Sequence, residues 1–356
     1  MSASHVSAES LESREARPGI DPRRTRMVLH GIGGALPRRV VTNEELARTL
    51  DTSDEWITSR TGIRARHVVD PATATSDLAV AAARRALEHA DVTSVDLVIV
   101  ATSTPDHRCP ATAPDVAARL GLGTVPAFDL AAVCSGFVYG LAQADALIRS
   151  GSAQRVLLIG ADAFTTLVDP ADRSNAVIFG DGAGAVVLGA GSEADGGAFG
   201  PFRLGSDGGG LELIRVEAGG SRSPEVDRTD PSAWFAMQGR AVFAAAVAAM
   251  ADSCRGVLAE AGWTSDDVDH LVAHQANRRI LTMVAASIGI PVERAVLHLD
   301  RVGNTSAASI PLAMAAHAGA FETGARVLLT AFGGGTTWGA GALTWPSFSA
   351  PTIDLV

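Results

Sequence analysis

Two separate parts of this chain repeat the same order of elements, and this repeat constrains the fold more than any other feature. Residues 81–103 read AAARRALEHADVTSVDLVIVATS, and residues 253–276 read SCRGVLAEAGWTSDDVDHLVAHQA. Each segment has the pattern of an amphipathic helix, a short polar turn and a buried strand rich in β-branched residues. Two further strands of similar sequence follow, RVLLIGADAF from Arg155 and RVLLTAFGGG from Arg326.

The spacing of these elements is nearly the same in the two copies. Arg155 follows Asp96 by 59 positions, and Arg326 follows Asp269 by 57 positions. A chance likeness between Val- and Leu-rich strands is the alternative interpretation. We favour a gene duplication, which predicts two α/β halves whose mainly parallel sheets are covered by helices on both faces. A tail-to-tail arrangement of the halves would bring the loops at their strand ends around one central site.

The repeat predicts two halves, residues 27–197 and residues 198–345. Residues 1–26 are polar and lack the apolar core of a signal peptide, so we expect a disordered leader. Residues 346–356 are a short tail. The sequence contains no run of about 18 uncharged apolar residues, so we expect a cytoplasmic protein without a membrane span.

The charge balance disfavours several classes of partner. The chain has 29 basic residues, all of them Arg, against 39 acidic ones, and its formal net charge is −10. This balance argues against nucleic acid as a partner, although a local Arg cluster can still bind an acidic carrier or a phosphorylated cofactor. Cys109, Cys134 and Cys254 form no CxxC pair, which argues against a disulfide framework and against a metal site.

Cys134 has the sequence context of a nucleophile. It lies in FDLAAVCSGFVYGL, between an apolar strand predicted to end near Ala131 and a helix predicted to begin near Ser135. The positive end of a helix dipole and free N–H groups are expected to lower the pKa of a thiol at such a place. For Cys109 and Cys254 we retain the simpler interpretation of a small apolar residue.

Two further segments place polar side chains where a helix is predicted to begin. His274 and Asn277 lie in LVAHQANRRI, and Asn304 lies in DRVGNTSAASIPLAMAA. A structural hydrogen bond is the simpler role for His274, and a helix N-cap is the simpler role for Asn304. A Cys that acts with a distant His and Asn is a recurring arrangement for nucleophilic catalysis.

A glycine-rich turn, AFGGGTTWGAG, follows the second copy of the strand. Successive glycines allow backbone N–H groups to approach a reacting centre closely. A phosphate-binding loop is the alternative, but it requires a Gly-Lys-Ser/Thr ending, and this chain contains no lysine.

Together these segments resemble the motifs of β-ketoacyl-(acyl carrier protein) synthase III, a family of thiolase-fold condensing enzymes. The resemblance covers residues 27–345 and rests on six segments in family order: TSDEWITSRTGIRARH, FDLAAVCSGF, FGDGAGAVVL, HQANRRI, GNTSAAS and FGGGTTWG. It implies an α/β, thiolase-like fold in which two duplicated α/β halves pack as a layered α-β-α-β-α sandwich. It also implies a homodimer, in which the strand near Phe128 pairs across a two-fold axis.

The resemblance further implies a reaction and the residues that perform it. Cys134 takes an acyl group from acyl-coenzyme A, and a decarboxylative Claisen condensation with malonyl-acyl carrier protein then initiates fatty-acid or polyketide synthesis. His274 and Asn304 donate hydrogen bonds to the malonyl thioester oxygen, and the backbone N–H groups of Cys134 and Gly334 form an oxyanion hole. Coenzyme A thioesters are substrates in this scheme, and no cofactor is implied.

Further residues receive their expected roles only through the resemblance. Trp56 and Arg173 are expected to hold the adenine of coenzyme A between an indole ring and a guanidinium group. The other expected contacts with coenzyme A are Thr52, Arg60, Gly239 and Asn277. The residues expected in the acyl pocket are Cys109, Phe179 and Phe332. The residues expected to dock the acyl carrier protein are Arg240, Arg278 and Arg279.

Two alternatives to the condensing reaction stay open. The acyl group on Cys134 could instead move to a hydroxyl or amine of a natural product, without a new carbon–carbon bond. A protein that only binds coenzyme A is the non-enzymatic alternative, which the intact set of Cys134, His274 and Asn304 disfavours. Asn rather than Asp at position 304 favours condensation, because an amide donates hydrogen bonds and cannot become a base.

Overall fold

The computed structural model describes residues 25–356, so residues 1–24 of the expected leader lie outside the described residues. The strands are β1 (Arg26–Leu36), β2 (Arg39–Thr42), β3 (Ala65–Val68), β4 (Leu97–Ala101), β5 (Ala127–Leu130), β6 (Arg155–Asp162), β7 (Gly182–Gly191), β8 (Phe199–Ser206), β9 (Ile214–Val216), β10 (Phe235–Met237), β11 (His270–Ala273), β12 (Arg326–Gly333), β13 (Thr337–Thr344) and β14 (Ile353–Leu355). The α-helices are α1 (Asn43–Leu46), α2 (Asp54–Thr61), α3 (Thr75–His89), α4 (Ala113–Arg119), α5 (Gly136–Arg149), α6 (Gly239–Ala261), α7 (Arg278–Ser287), α8 (Leu299–Val302) and α9 (Ser309–His317).

Five layers alternate between helices and sheets, which confirms the α-β-α-β-α sandwich. The first sheet has the strand order β14-β1-β7-β6-β4-β5, and the second has the order β11-β12-β13-β8. Helices α5 and α9 share one apolar core with the inner faces of both sheets. Helices α3 and α4 cover the outer face of the first sheet, and α6 and α7 cover the outer face of the second.

The two halves repeat one another at the level of single hydrogen bonds. In the first half the backbone N–H of Arg155 donates to the Asp96 carboxylate at 2.9 Å, and the N–H of Asp96 donates to the Arg155 carbonyl at 2.8 Å. In the second half Arg326 and Asp269 make the same two bonds, at 2.8 and 2.9 Å. Each pair lies at the start of two parallel strands, β4 with β6 and β11 with β12. This equivalence supports the duplication inferred from the sequence.

The sheets are mixed, and the prediction of mainly parallel sheets is wrong. Strand β7 is antiparallel to β1 and β6, and β13 is antiparallel to β12 and β8. A parallel neighbour requires a long crossover, usually through a helix. A tight turn joins β12 directly to β13, and the segment from 163 to 181, described throughout, contains no α-helix between β6 and β7.

The C-terminal tail, residues 346–356, contains a β-strand. Its strand β14 pairs in parallel with β1 at the edge of the first sheet. Arg85 of α3 donates from Nε to the Asp354 carboxylate at 2.8 Å. Residues 346–356 therefore add a strand to the sheet of the N-terminal half, although they follow the C-terminal half in the chain.

Helix α6 is the longest helix in the described part of the chain, and its length and apolar composition would suffice to cross a membrane. Its buried side chains, such as Met250, Cys254 and Val257, instead pack on the second sheet. An apolar helix with this packing is typical of a large globular core.

Candidate active site

Cys134 lies between β5 and the helix that follows it. The chain leaves β5, forms a 3₁₀ turn over Val133–Ser135 and continues into α5 at Gly136. Val133 has a φ of 48°, a left-handed conformation that is strained for a β-branched residue. The thiol is held at the N-terminal end of α5, where the sequence predicted it, and Cys134 is only 8% exposed.

The surroundings of the thiol overturn one prediction. Burial raises the pKa of the Cys134 thiol to about 12, and the negative charge of Asp162 also raises it. The thiol donates a hydrogen bond to Ser306 Oγ at 3.7 Å, and this bond lowers the pKa. The expected lowering of the thiol pKa is wrong, because the loss of hydration is the largest cause of the shift and outweighs the hydrogen bonds that oppose it. The thiol is therefore protonated at neutral pH, and its attack on a thioester requires that the proton be moved.

His274 follows β11 and is held as a neutral group. Its backbone N–H donates to the Thr330 carbonyl at 2.8 Å, and its Nδ1 lies 2.7 Å from Ser309 Oγ. Ser309 also accepts from the backbone N–H of Gln275 at 3.4 Å, so its own hydroxyl proton is available to Nδ1. A Ser309 hydroxyl that donates to Nδ1 leaves the ring proton on Nε2, which is the tautomer that we adopt. Burial lowers the pKa of His274 to about 3, so the ring is uncharged at neutral pH.

Asn304 is fixed through its backbone and its side chain. Its N–H donates to the Ile178 carbonyl at 2.9 Å, and its carbonyl accepts from the N–H of Gly180 at 3.0 Å. Its Oδ1 accepts from the backbone N–H of Ser306 at 2.9 Å, which leaves the amide nitrogen as a donor. Glycine is required at 180, because a Cβ there would overlap the carbonyl oxygen of Val302.

The glycine-rich turn after β12 reaches the backbone of Cys134. A Cβ at Gly333 would lie 2.8 Å from the Cys134 nitrogen, so glycine permits this close contact. Gly334 is the next residue in the turn, and its N–H group stays a predicted member of the oxyanion hole. Gly333 was not among the predicted site residues, although the run of three glycines in the sequence includes it.

One cavity brings the three predicted catalytic residues together. Cys134, His274 and Asn304 all line it, as do Phe179 and Phe332 of the expected acyl pocket. Other apolar lining residues were not predicted, and they include Phe164, Phe235, Met237, Val242, Ala246 and Met250. The last three lie four residues apart on one face of α6, a spacing that the sequence could have revealed.

Cys109 does not line this cavity within its own chain. It is exposed in the loop between β4 and α4, where it precedes Pro110. The aromatic rings of Phe164, Phe179 and Phe235 form the cavity wall, with ring centroids 4.4 to 5.2 Å apart. The assignment of Cys109 to the acyl pocket came from the resemblance alone, and the structure places this side chain elsewhere.

The residues expected at the nucleotide end of coenzyme A form one group on and beside α2. The guanidinium carbons of Arg60 and Arg173 lie 5.0 and 4.8 Å from the centroid of the Trp56 ring. Arg173 also donates to the Asp51 carboxylate at 2.9 Å. The hydroxyl of Thr52 is buried and has no hydrogen-bond partner among the described residues. An adenine ring that stacks between Trp56 and Arg173 must therefore displace the guanidinium group.

The start of α7 contacts this group. Asn277 caps α7 by accepting from the Arg279 N–H at 2.8 Å, and its amide donates to the Arg60 carbonyl at 3.1 Å. The Arg279 guanidinium group donates to the Ser59 carbonyl at 3.0 Å. Arg278 is exposed beside it. The two arginines of α7 thus adjoin the expected coenzyme contacts.

Gly239 and Arg240 form the first turn of α6, and both are exposed. Met237 and Val242, on either side of them in the chain, line the cavity. Gly239 and Arg240 therefore lie beside the cavity wall, and their roles in binding coenzyme A and the carrier stay predictions.

Comparison with known proteins gives matches along most of the chain. The family model described as 3-oxoacyl-(acyl-carrier-protein) synthase III matches residues 128–208, and the one described as the C-terminal part of the same synthase matches residues 258–345. A β-ketoacyl-(acyl-carrier-protein) synthase III of Streptomyces coelicolor is 60% identical over 326 residues, which are 90% of this chain and 97% of that protein.

Solved structures extend the likeness to the fold. The crystal structure of 3-oxoacyl-(acyl carrier protein) synthase III from Pseudomonas aeruginosa PAO1 has a TM-score of 0.85 and 50% identity, covering 91% of this chain and 99% of that one. The priming β-ketosynthase from the R1128 polyketide biosynthetic pathway has a TM-score of 0.85 and 37% identity, covering 93% of this chain and 100% of that one.

Proposed function

This chain belongs to the β-ketoacyl-(acyl carrier protein) synthase III family, and we propose that it joins an acyl group from acyl-coenzyme A to malonyl-acyl carrier protein with loss of carbon dioxide. It is a condensing enzyme of the acyltransferase class. The observation that carries the proposal is the common cavity of Cys134, His274 and Asn304, in which the last two are neutral donors.

In the first half of the reaction the sulfur of Cys134 attacks the thioester carbonyl of acyl-coenzyme A. The carbonyl oxygen gains negative charge as the new S–C bond forms, and the bond to coenzyme A then breaks. We assign the stabilisation of this charge to the N–H groups of Cys134 and Gly334. The close contact of Gly333 with the Cys134 backbone supports this assignment, and the apolar cavity suits an acyl chain.

In the second half the malonyl thioester loses carbon dioxide, and its thioester oxygen gains enolate charge. His274 Nε2 and Asn304 Nδ2 are the proposed donors to that oxygen. The low pKa of His274 supports this role, because a neutral ring stays a donor at one nitrogen without giving up its proton. The enolate carbon then attacks the acyl carbon, and Cys134 leaves as the new carbon–carbon bond forms.

The proposed partners follow the same two steps. Coenzyme A binds along Trp56 and Arg173, and the acyl carrier protein docks on exposed arginines. Arg278 and Arg279 support this docking, because they offer local positive charge on a chain of net charge −10. A homodimer that pairs through β5 is part of the proposal, since β5 is an edge strand and Phe128 on it is 37% exposed. A cytoplasmic location completes the proposal.

Intact-protein mass spectrometry tests the proposal. The full chain is incubated with a series of acyl-coenzyme A thioesters beside the Cys134→Ala variant, and acylated enzyme is then mixed with malonyl-acyl carrier protein. We expect an acyl mass on the wild type alone and its discharge with release of carbon dioxide. An acyl mass that malonyl carrier leaves in place, but a hydroxyl or amine acceptor removes, would establish acyl transfer without condensation instead.

A further inference from the structure

A buried carboxylate lies behind the nucleophile, and the reaction described above does not use it. Asp162 is the last residue of β6 and is fully buried. Its Oδ1 accepts from the backbone N–H of Ser103 at 2.7 Å and from the hydroxyls of Thr102 and Thr104 at 3.2 and 3.1 Å. Its Oδ2 accepts from the backbone N–H of Ala307 at 3.2 Å. The carboxylate therefore joins β4 and β6 to the turn that follows Asn304.

Ser306 connects this carboxylate to Cys134. The thiol donates to Ser306 Oγ at 3.7 Å. Burial raises the pKa of Asp162, and a hydrogen bond from the Ser306 side chain is among the contacts that oppose this rise. Ser306 therefore lies between the two groups: its hydroxyl accepts from the thiol of Cys134, and the N–H of the next residue, Ala307, donates to Asp162 Oδ2 at 3.2 Å.

Two residues with strained backbone conformations hold this array: its middle member, Ser306, and Val133, which precedes Cys134. Ser306 has a φ of 51° and Val133 a φ of 48°, and both values lie in the region that disfavours L-residues with side chains. Such conformations persist where the surrounding structure imposes them, and they concentrate at functional sites. The turn of Ser306 lies against β6 because Gly160 has no side chain; a Cβ there would overlap the Ala307 carbonyl.

We propose that Asp162, acting through Ser306, takes the thiol proton of Cys134 during acylation and holds it for as long as the acyl group stays on the sulfur. The inference rests on the proposed acylation of Cys134. It resolves the problem of a buried thiol that must lose its proton. The transfer keeps a single negative charge in the buried array, whereas loss of the proton to water would leave two buried anions side by side.

Other titratable groups near the array are poorly suited to this role. His274 lines the same cavity, but burial lowers its pKa to about 3, so it is a weak proton acceptor. Asp181 is the other buried carboxyl group of this region, and its oxygens accept from the N–H groups of Val69 and Thr165 and from the Thr165 hydroxyl. Ser306 thus provides a direct connection from the thiol to Asp162.

The number of protons balances over the whole catalytic cycle. During acylation the sulfur of Cys134 bonds to the acyl carbon, its proton moves through Ser306 to Asp162, and coenzyme A leaves as a thiolate that takes a proton from water. During condensation Cys134 leaves as a thiolate, and Asp162 returns the stored proton through Ser306. The cycle takes up one proton from water and releases one carbon dioxide.

A count of protons during a single acylation tests the transfer. The full chain is mixed with isobutyryl- or hexanoyl-coenzyme A in weakly buffered solution with a pH-indicator dye, and adducts on Cys134 are counted by mass spectrometry. We expect the wild type to take up about one proton per adduct near pH 7, because the thiol proton stays on Asp162 while the coenzyme thiolate is protonated. Asp162→Asn and Ser306→Gly are expected to take up about none and to acylate about 10- to 100-fold more slowly.

Three features of the design separate the possible outcomes. Ser306→Gly removes the hydroxyl but suits the positive φ, so it stands in for Asp162→Asn if that variant fails to fold. Thr305→Val is the matched control, because the Thr305 hydroxyl is buried without a partner in the described structure. It is expected to keep the wild-type proton count. A variant that only loosened the fold would change the rate and leave the count unchanged.

Alkylation with iodoacetamide tests the transfer without any acyl donor. The protons released by the Cys134→Ala variant, which come from other sites, are subtracted. We then expect the wild type to release about no proton per adduct on Cys134, and Asp162→Asn to release about one. A wild type that takes up no proton on acylation, or releases one on alkylation, overturns the inference. A wild type that resists every acyl-coenzyme A but retains its proton on alkylation contradicts the proposed function, and it supports only the transfer of the thiol proton from Cys134 to Asp162.

Discussion

The Nδ1 atom of His274 lies 2.7 Å from the hydroxyl oxygen of Ser309, the first residue of α9. The central helix layer therefore fixes the orientation of the ring, and a Ser309 hydroxyl that donates to Nδ1 keeps the ring proton on Nε2. This contact makes Ser309 a positioning residue for the donor proposed to act on the malonyl thioester.

Ser309→Ala is expected to slow decarboxylation about 10-fold, because the ring loses the partner that fixes its tautomer. Acylation of Cys134, which does not use His274, is expected to stay within about twofold of the wild type. The two rates are measured separately, as carbon dioxide release and as adduct formation. Ser253→Ala is the matched control, since the hydroxyl of Ser253 is also buried but bonds only within α6. Equal losses in both rates would contradict a role through His274.

Asn304→Asp is expected to slow decarboxylation about 100- to 1,000-fold, because a carboxylate cannot donate to the developing enolate oxygen. Its oxygen can still accept from the Ser306 N–H, so the turn is expected to stay in place. Carbon dioxide release from malonyl carrier gives the rate, and acylation with acyl-coenzyme A serves as the internal control. Full decarboxylation by this variant would remove Asn304 from the proposed mechanism.

The pH dependence of decarboxylation follows from the buried imidazole. Burial lowers the pKa of His274 from 6.5 to about 3. The rate is therefore expected to show no titration of this ring between about pH 5 and 8. A rate that falls with a midpoint near 6.5 as the pH is lowered, and that loses this dependence in His274→Gln, would contradict the neutral donor.

The same depressed pKa affects stability. The unfolded chain binds a proton to His274 near pH 6.5, whereas the folded chain does so only near pH 3. Stability from this group is therefore complete above 6.5 and is lost as the pH falls from 6.5 towards 3. Denaturant unfolding at a series of pH values is expected to show this loss, and His274→Gln is expected to reduce it.

Trp56→Ala is expected to raise the KM for acyl-coenzyme A about 5- to 150-fold, since a purine stacked on an aromatic ring loses about 1–3 kcal/mol when the ring is removed. The kcat is expected to change little, because the ring is remote from the reacting atoms. The matched control is the same acyl group on N-acetylcysteamine, which has no adenine. An equal rise in KM for that thioester would point to a change in the fold rather than to a lost stack.

Arg66 is a test of the fold rather than of the site. It is 1% exposed, and its guanidinium group donates to the carbonyls of Val41 and Val177 and to Asn43 Oδ1. Arg66→Met removes these three hydrogen bonds from a buried site, so the free energy of unfolding is expected to fall by about 2–4 kcal/mol in denaturant titrations. The control is Arg64→Met. Arg64 is exposed, so this change is expected to alter the free energy of unfolding by less than about 0.5 kcal/mol.

The sequence predicted the local placement of the candidate catalytic residues well. Cys134 and His274 follow apolar strands, and the end of each strand can be predicted from about ten residues of local sequence. The duplication predicted two equivalent halves. The hydrogen bond between Asp96 and Arg155 in the first half has an equivalent between Asp269 and Arg326 in the second.

Properties that depend on contacts between distant parts of the chain could not be predicted from the sequence. Cys134 and Ser306 are 172 positions apart, so neither their contact nor the burial that raises the thiol pKa could be read locally. The direction of β7 depends on how the chain returns from β6, which strand propensity does not determine. The cavity wall formed by Phe164 and Phe235 likewise requires the tertiary fold.

The most direct test of the condensing reaction follows one labelled carbon through one turnover. Enzyme acylated on Cys134 is mixed with malonyl-acyl carrier protein that carries ¹³C in its free carboxyl group. We expect one labelled carbon dioxide per acyl group discharged and an unlabelled carrier product that is longer than the acyl group by two carbons. Discharge of the acyl group with the label retained on the carrier, and no longer product, would contradict the account.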